Sequence, residues 1–245
     1  GGAKSWKSTY GISSSSLTRY HINNQKLVKD ATLAKADMGL TSTFESFLEW
    51  GLSKYPAEKT GVILWNHGGA LDGVCYDENF DDDSLLASEV SSALDTAFTN
   101  TKREEKLEFI GYDACLMAVQ DIAEINSNYF NYMVASEESE AGEGWDYDSW
   151  LDDVYDNHDT ETILKAICDG FVDDYERNYG SDYDNDQTLS VLDLSKMAQY
   201  KTAFEQLASN ISTSVKSNSS SFNTLMKSVK NYGDLWMDSD RKSVV

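Results

Sequence analysis

Two apolar runs each end on a residue able to do nucleophilic or acid–base chemistry. Gly61-Val62-Ile63-Leu64-Trp65-Asn66-His67-Gly68-Gly69 reaches an imidazole, and Leu107-Glu108-Phe109-Ile110-Gly111-Tyr112-Asp113-Ala114-Cys115 reaches a thiol. A thiol beside an imidazole is a pair for attack on a carbonyl, because the imidazole can take the thiol proton and later hand it to a leaving group. Asp113 stands two residues before Cys115. In an extended chain, residues i and i+2 share a side, so a carboxylate lies beside the thiol on the floor of any adjoining pocket. The plainer reading of Asp113 is a surface carboxylate or a helix cap. The plainer reading of Cys115 is a small buried hydrophobe, which its place at a strand end opposite a histidine disfavours, and that of His67 is a structural histidine. The two glycines after His67 weigh against that, since they let a ligand come close to the backbone. The other candidates have no such setting. Cys168 shares an apolar helix face with Leu164 and Phe171 and reads as core; Cys75 reads as an inert loop thiol; His21 and His158 read as surface residues.

Both runs are short, β-branched and aromatic, and bounded by Gly or charge, the pattern of buried parallel strands. Between them Ser84 to Asn100 has helical spacing, with Leu85, Leu86, Val90, Leu94 and Phe98 apolar. Strand, helix, strand is a crossover that puts both strands in one parallel sheet, with His67 and Cys115 at its carboxyl edge, where open α/β sheets bind ligands. Elsewhere residues 1–40 read as polar and irregular, with a short strand at Tyr20-His21-Ile22. Thr41 to Tyr55 reads as a helix ending before Pro56. Leu116 to Tyr129 reads as a helix opening just after Cys115, whose unpaired N–H groups are expected to lower the thiol pKa. Tyr132 to Ser136 reads as a third strand and Leu189 to Leu194 as a fourth. Trp145–Val154, Thr160–Tyr179, Ser195–Ser212 and Phe222–Tyr232 read as helices, and Asp238 to Lys242 as an exposed tail.

The totals narrow the function further. The 245 residues, 40% hydrophobic and with one Pro, read as a single domain over 1–245. Twenty basic against 42 acidic residues give a net charge of −22, which argues against nucleic acid as a partner and favours cationic ligands. No stretch approaches the roughly 20 apolar residues of a membrane span. Three cysteines do not make a disulfide framework. The scattered His and Cys supply no zinc site, so no metal ligand is assigned. Asp182-Tyr183-Asp184-Asn185-Asp186 alternates oxygens as a calcium loop does, although Gln187 stands where such a loop needs Gly; calcium is the one cofactor considered, and none is required.

Taken in order, Leu64-Trp65-Asn66-His67-Gly68-Gly69, Gly111-Tyr112-Asp113-Ala114-Cys115-Leu116-Met117, Ala135-Ser136-Glu137-Glu138 and Gly144-Trp145-Asp146-Tyr147 resemble the clostripain family of cysteine peptidases, relatives of caspases, gingipains and legumain. The resemblance runs from about Met38 to Leu151. It implies a caspase-like three-layer αβα sandwich with a mostly parallel central sheet, and a secreted or cell-surface endopeptidase, often made as a zymogen, that cuts after Arg or Lys. It implies His67 and Cys115 as the catalytic dyad, backbone N–H groups of Gly68 and Cys115 as oxyanion donors, and Asp113 as the acid that receives the basic P1 side chain. It further implies Ser136, Glu143 and Trp145 as substrate-binding residues. The family's opening strand–helix–strand segment has no counterpart here, so a light chain of the same precursor is an expected partner alongside Arg/Lys peptide substrates. Self-cleavage in the acidic loop 77–83 is not expected, because the first basic residues after His67 are Lys102 and Arg103. The rival readings are a non-catalytic caspase-like module that captures basic peptides, and a cysteine amidase acting on small molecules.

Overall fold

A computed structural model describes residues 9–156, 158–180 and 187–229. Its centre is a four-stranded sheet in the order β3-β6-β7-β8, formed by β3 (Gly61–Trp65), β6 (Leu107–Asp113), β7 (Phe130–Ala135) and β8 (Ser190–Asp193). The first three strands are parallel and β8 is antiparallel to β7. Both predicted catalytic strands are therefore neighbours, in a register that sets Trp65 opposite Asp113. Asn66 carries the ladder one step further, its N–H donating to the Asp113 carbonyl at 3.4 Å.

Period-two alternation along β6 and β7 divides the core between two faces. Ile110, Tyr112 and Met133 pack with Val62 and Leu64 of β3. The same cluster takes in Phe44 and Leu48 of α1 (Thr41–Lys54), Val90, Ala93, Leu94 and Ala97 of α2 (Ala87–Thr101), and Ile122 of α3 (Gln120–Asn126). Phe109 and Val134 point the other way, onto Trp145, Trp150 and the Ile163, Leu164, Ile167 and Phe171 stripe of α5 (Thr160–Tyr179). Helices on both faces of one sheet make the three-layer sandwich. The α5 stripe follows 3.6-residue spacing, and its start is capped by the Asp159 side chain, which accepts the Thr162 N–H at 3.0 Å.

Several elements differ from the sequence reading. The first 40 residues include an antiparallel hairpin, β1 (Ser16–Asn23) and β2 (Lys26–Ala34). Its two-residue turn, Asn24-Gln25, holds φ at 49° and 59°, the left-handed pair such a turn requires, built without the glycine that would have signalled it. Asp83–Leu85 (β5) pairs with Val74–Asp77 (β4), so α2 starts at Ala87. Cys75 lies in a strand, buried, and its thiol is pushed up to about 12 by desolvation. The acidic 77–83 loop is a tied turn: Asp77 accepts the N–H groups of Met38 at 3.1 Å and Asn79 at 3.0 Å.

The 116–129 helix shrinks to α3 because the N–H groups of Leu116 and Ala118 are taken by the carbonyls of Glu138 and Ser136, at 2.9 and 2.8 Å. Residues 145–154 form only short turns at 147–149 and α4 (Leu151–Tyr155). After β8 come α6 (Met197–Ser217) and α7 (Ser219–Met226). The candidate calcium loop 182–186 and the 238–242 tail lie outside the described residues. Among the described residues no group of three His, Cys, Asp or Glu is arranged to hold a metal, and no helix is long and apolar enough to cross a membrane.

Candidate active site

The carboxyl ends of β3 and β6 open into one cleft of about 770 Å³ whose wall includes His67, Gly68, Asp113, Cys115, Glu140 and Gly144. Both key side chains leave their strands through backbone that few residues adopt. Asn66 has φ 137° just before His67, and Leu116 has φ 64° just after Cys115. Non-glycine residues in such conformations cost of order 1–3 kcal/mol and persist only where the surroundings enforce them. Here β-ladder bonds on one side and the Leu116–Glu138 bond on the other do so. Gly68 packs so closely on the Cys115 main chain that a Cβ there would lie 2.4 Å from the Cys115 carbonyl oxygen. The missing side chain at Gly68 thus serves the packing of the two strand ends on each other.

Cys115 is half-buried. Its sulfur accepts the Glu140 N–H at 3.2 Å and faces the Glu140 carbonyl at 3.8 Å. Burial pushes the thiol up; the Glu140 N–H pulls it down, while the Glu140 carboxyl adds to the rise. The expected lowering by a helix start is overturned, because Cys115 sits in a turn five residues ahead of α3. His67 is exposed at the cleft mouth. Among the described residues no carboxylate is hydrogen-bonded to its imidazole.

Asp113 is buried, only 3% exposed. Its Oδ2 accepts the Tyr147 hydroxyl at 2.9 Å and its Oδ1 the Trp145 N–H at 3.2 Å. Burial raises its pKa, partly offset by those two donors. Gly144 (φ 72°) bends the chain directly over it: a Cβ there would stand 2.7 Å from Asp113 Oδ1. Gly144→Ala therefore combines a left-handed alanine with a buried clash. It is expected to lower the melting temperature by about 2–4 °C or more, read by calorimetry.

The other predicted pocket residues do not line the cleft. Ser136 is fully buried, its hydroxyl bonded to Glu138 N–H at 2.9 Å and Thr188 at 3.0 Å. It shapes the bend whose Glu138 carbonyl anchors Leu116. Glu143 faces outward, accepting the Tyr179 hydroxyl at 2.8 Å. Trp145 lies behind the wall, where a Cβ on Gly111 would come within 2.8 Å of its ring. Its backbone N–H reaches Asp113, and its indole lies beside the Glu140 carboxyl.

Sequence reasoning passed over Glu140. Both carboxyl oxygens are buried without a hydrogen-bond partner among the described residues. Desolvation, with Asp113's charge adding to it, pushes its pKa up to about 9. The Trp145 indole eases this slightly without completing a hydrogen bond. A carboxyl kept protonated to about 9 when folded and released near 4.5 when unfolded contributes stability that is whole below about 4.5 and is lost as pH rises toward 9. Glu140→Gln, always neutral, should lack that loss. Its melting temperature should exceed the parent's by a margin that widens from pH about 5 to about 8, measured across a pH series.

A family model described as the Clostripain family matches residues 9–242. The chain belongs to the clostripain family. It is 26% identical to clostripain of Hathewaya histolytica, over 74% of this chain and 40% of that protein, so it spans well under half the length of that relative. Among solved structures it is similar to a secreted C11 cysteine protease from Bacteroides thetaiotaomicron in complex with an irreversible peptide inhibitor, with TM-score 0.61, 20% identity, and coverage of 77% of this chain and 56% of that one. It is also similar to an inactive zymogen C11 protease from Parabacteroides distasonis, with TM-score 0.57, 19% identity, and coverage of 75% and 49%. These likenesses establish a shared fold. Their caspase-like architecture is the three-layer sandwich that the sequence motifs implied, and the expected mostly parallel sheet is found with one antiparallel strand, β8.

Proposed function

We propose that this clostripain-family chain is a cysteine endopeptidase unit that cuts peptide bonds after Arg or Lys. One observation carries the reading: a single cleft holds a thiol and an imidazole from adjacent parallel strands, with a buried carboxylate two residues before the thiol. Peptide binding displaces the Glu140 segment from the sulfur, and His67 takes the thiol proton. The Cys115 sulfur attacks the scissile carbonyl, and the oxyanion is held by the N–H groups of Gly68 and Cys115. The C–N bond breaks as His67 protonates the leaving amine, leaving a thioester on Cys115. His67 then deprotonates water, which attacks the thioester and releases the carboxylate product and the thiol. Asp113 receives the P1 guanidinium or ammonium as a charge-assisted contact. Ser136 and Trp145 serve by positioning the Cys115 turn and the Asp113 carboxylate, and Glu143 lies outside the pocket wall. This chemistry calls for no cofactor. The test is mass-spectrometric mapping of the cuts in a denatured protein: cleavage confined to Arg and Lys supports the proposal, and intact protein or cuts at unrelated residues overturn it. Binding without cutting would favour the capture module, and turnover of small amides alone the amidase.

We further propose a precursor-derived light chain as partner. Among the described residues β3 is an edge strand, separated from the β1–β2 hairpin by a cleft of about 560 Å³. A strand laid along β3 would fill that edge. The secreted relative supports export as the setting of this activity.

A further inference from the structure

Glu140 lines the cleft with both carboxyl oxygens buried and, among the described residues, without a completed hydrogen bond. Buried polar groups in folded proteins nearly always find partners, and a buried carboxyl without one is costly. Both Glu140 oxygens are buried and unpartnered, while each Asp113 oxygen already holds a donor. The groups that face Glu140 are Asp113, Cys115, Tyr147 and the Trp145 indole, none of them cationic. The backbone of Glu140 is bonded to the Cys115 sulfur, so its carboxyl lies within one residue's reach of the nucleophile and is electrostatically coupled to Asp113. Gly142 and Gly144 follow it in the same wall, giving the segment freedom to admit a side chain.

We propose that Glu140 is the second carboxyl of the P1 pocket, protonated while the pocket is empty and ionised by the entering cation, so that binding of Lys or Arg releases one proton. The inference rests on the Arg/Lys reading above. The step balances simply: the carboxyl O–H bond breaks, its proton goes to solvent, and the carboxylate pairs with the ammonium or guanidinium. The proton sits on Glu140 rather than Asp113 because the Tyr147 and Trp145 donors favour the Asp113 anion. The two acids titrate as a pair, with one negative charge when empty and two when a cation lies between them. A pocket of this kind discriminates against neutral side chains twice, since a neutral P1 group both lacks the charge and leaves Glu140 unpartnered.

The experiment compares kcat/KM for an Arg peptide with that for its citrulline counterpart across pH about 6.5 to 8.5. Taking the ratio cancels the titration of Cys115 and His67. In the parent enzyme the Arg-to-citrulline ratio is expected to rise at least about tenfold over that range, one linked proton allowing up to about tenfold per pH unit. Glu140→Gln should flatten the slope and cut the ratio, through KM rather than kcat. A parent ratio above one that does not change with pH, or a Glu140→Gln enzyme that keeps the slope, overturns the proposal while leaving the Arg/Lys reading intact. A parent ratio near one at every pH overturns that reading and the proposal with it. Calorimetry gives a measure independent of that variant and of turnover. The same Arg peptide is titrated into Cys115→Ala protein in two buffers of different ionisation heat. Release of about one proton per peptide supports the proposal, and binding without proton release overturns it.

Discussion

Cys115→Ala is expected to abolish cleavage after Arg and Lys, with kcat falling about 10⁴-fold or more. The loss follows from the site's construction. The thiol is the nucleophile that the proposed mechanism places at the carboxyl edge of β6, and Ser139, a hydroxyl in the same cleft wall, is the weaker nucleophile at neutral pH. Peptide binding should survive, because Asp113 and the cleft walls are untouched. Single-turnover assays with a fluorogenic Arg peptide give the rate, and fluorescence anisotropy of a labelled peptide gives the affinity. A variant that retains full turnover would remove Cys115 from the mechanism. His67→Ala should cost a similar factor, and the double variant little more than either, since the two act as a unit.

Asp113→Asn is expected to lower the preference for Arg over citrulline at P1 by about 10²-fold. The amide keeps the shape of the carboxylate: its oxygen can accept the Trp145 N–H while its NH2 donates to the Tyr147 oxygen, whose hydroxyl proton turns away, so the fold should hold. What it removes is a buried charge opposite the incoming cation. Competing peptides that differ only at P1, quantified by mass spectrometry, check this. An unchanged P1 profile would take Asp113 out of the pocket.

Much of this site was legible because strand chemistry is local. Apolar runs with β-branched residues located β3 and β6, and the crossover rule made them neighbours, so His67, Asp113 and Cys115 followed from spacing alone. The α5 stripe was equally plain. What escaped notice depended on contacts distant in sequence. The helix expected after Cys115 is delayed because carbonyls of Ser136 and Glu138, some 20 residues away, occupy the N–H groups it would start with. The β1–β2 hairpin turns on Asn-Gln, and no glycine marks it. Glu143, the pocket acid the resemblance implies, turns outward to the Tyr179 hydroxyl, while Glu140, three residues earlier in the same loop, lines the cleft. Glu140's one signal was its place between Ser136-Glu137-Glu138 and the Gly144-Trp145 pair; spacing along a loop carries no periodicity to read.

The connector between β3 and β6 has a consequence for the lifetime of the molecule. From Gly68 to Thr101 it carries neither lysine nor arginine, and its acidic stretch is tied down as a hairpin. Its basic residues, Lys102, Arg103 and Lys106, all stand just before β6. An enzyme of the proposed Arg/Lys preference would nick sister copies there. Such a cut parts imidazole and thiol into two covalent pieces, with the β3–β6 ladder left to hold them together. Concentrated stocks should age into fragments that begin or end at these positions and come apart only on unfolding.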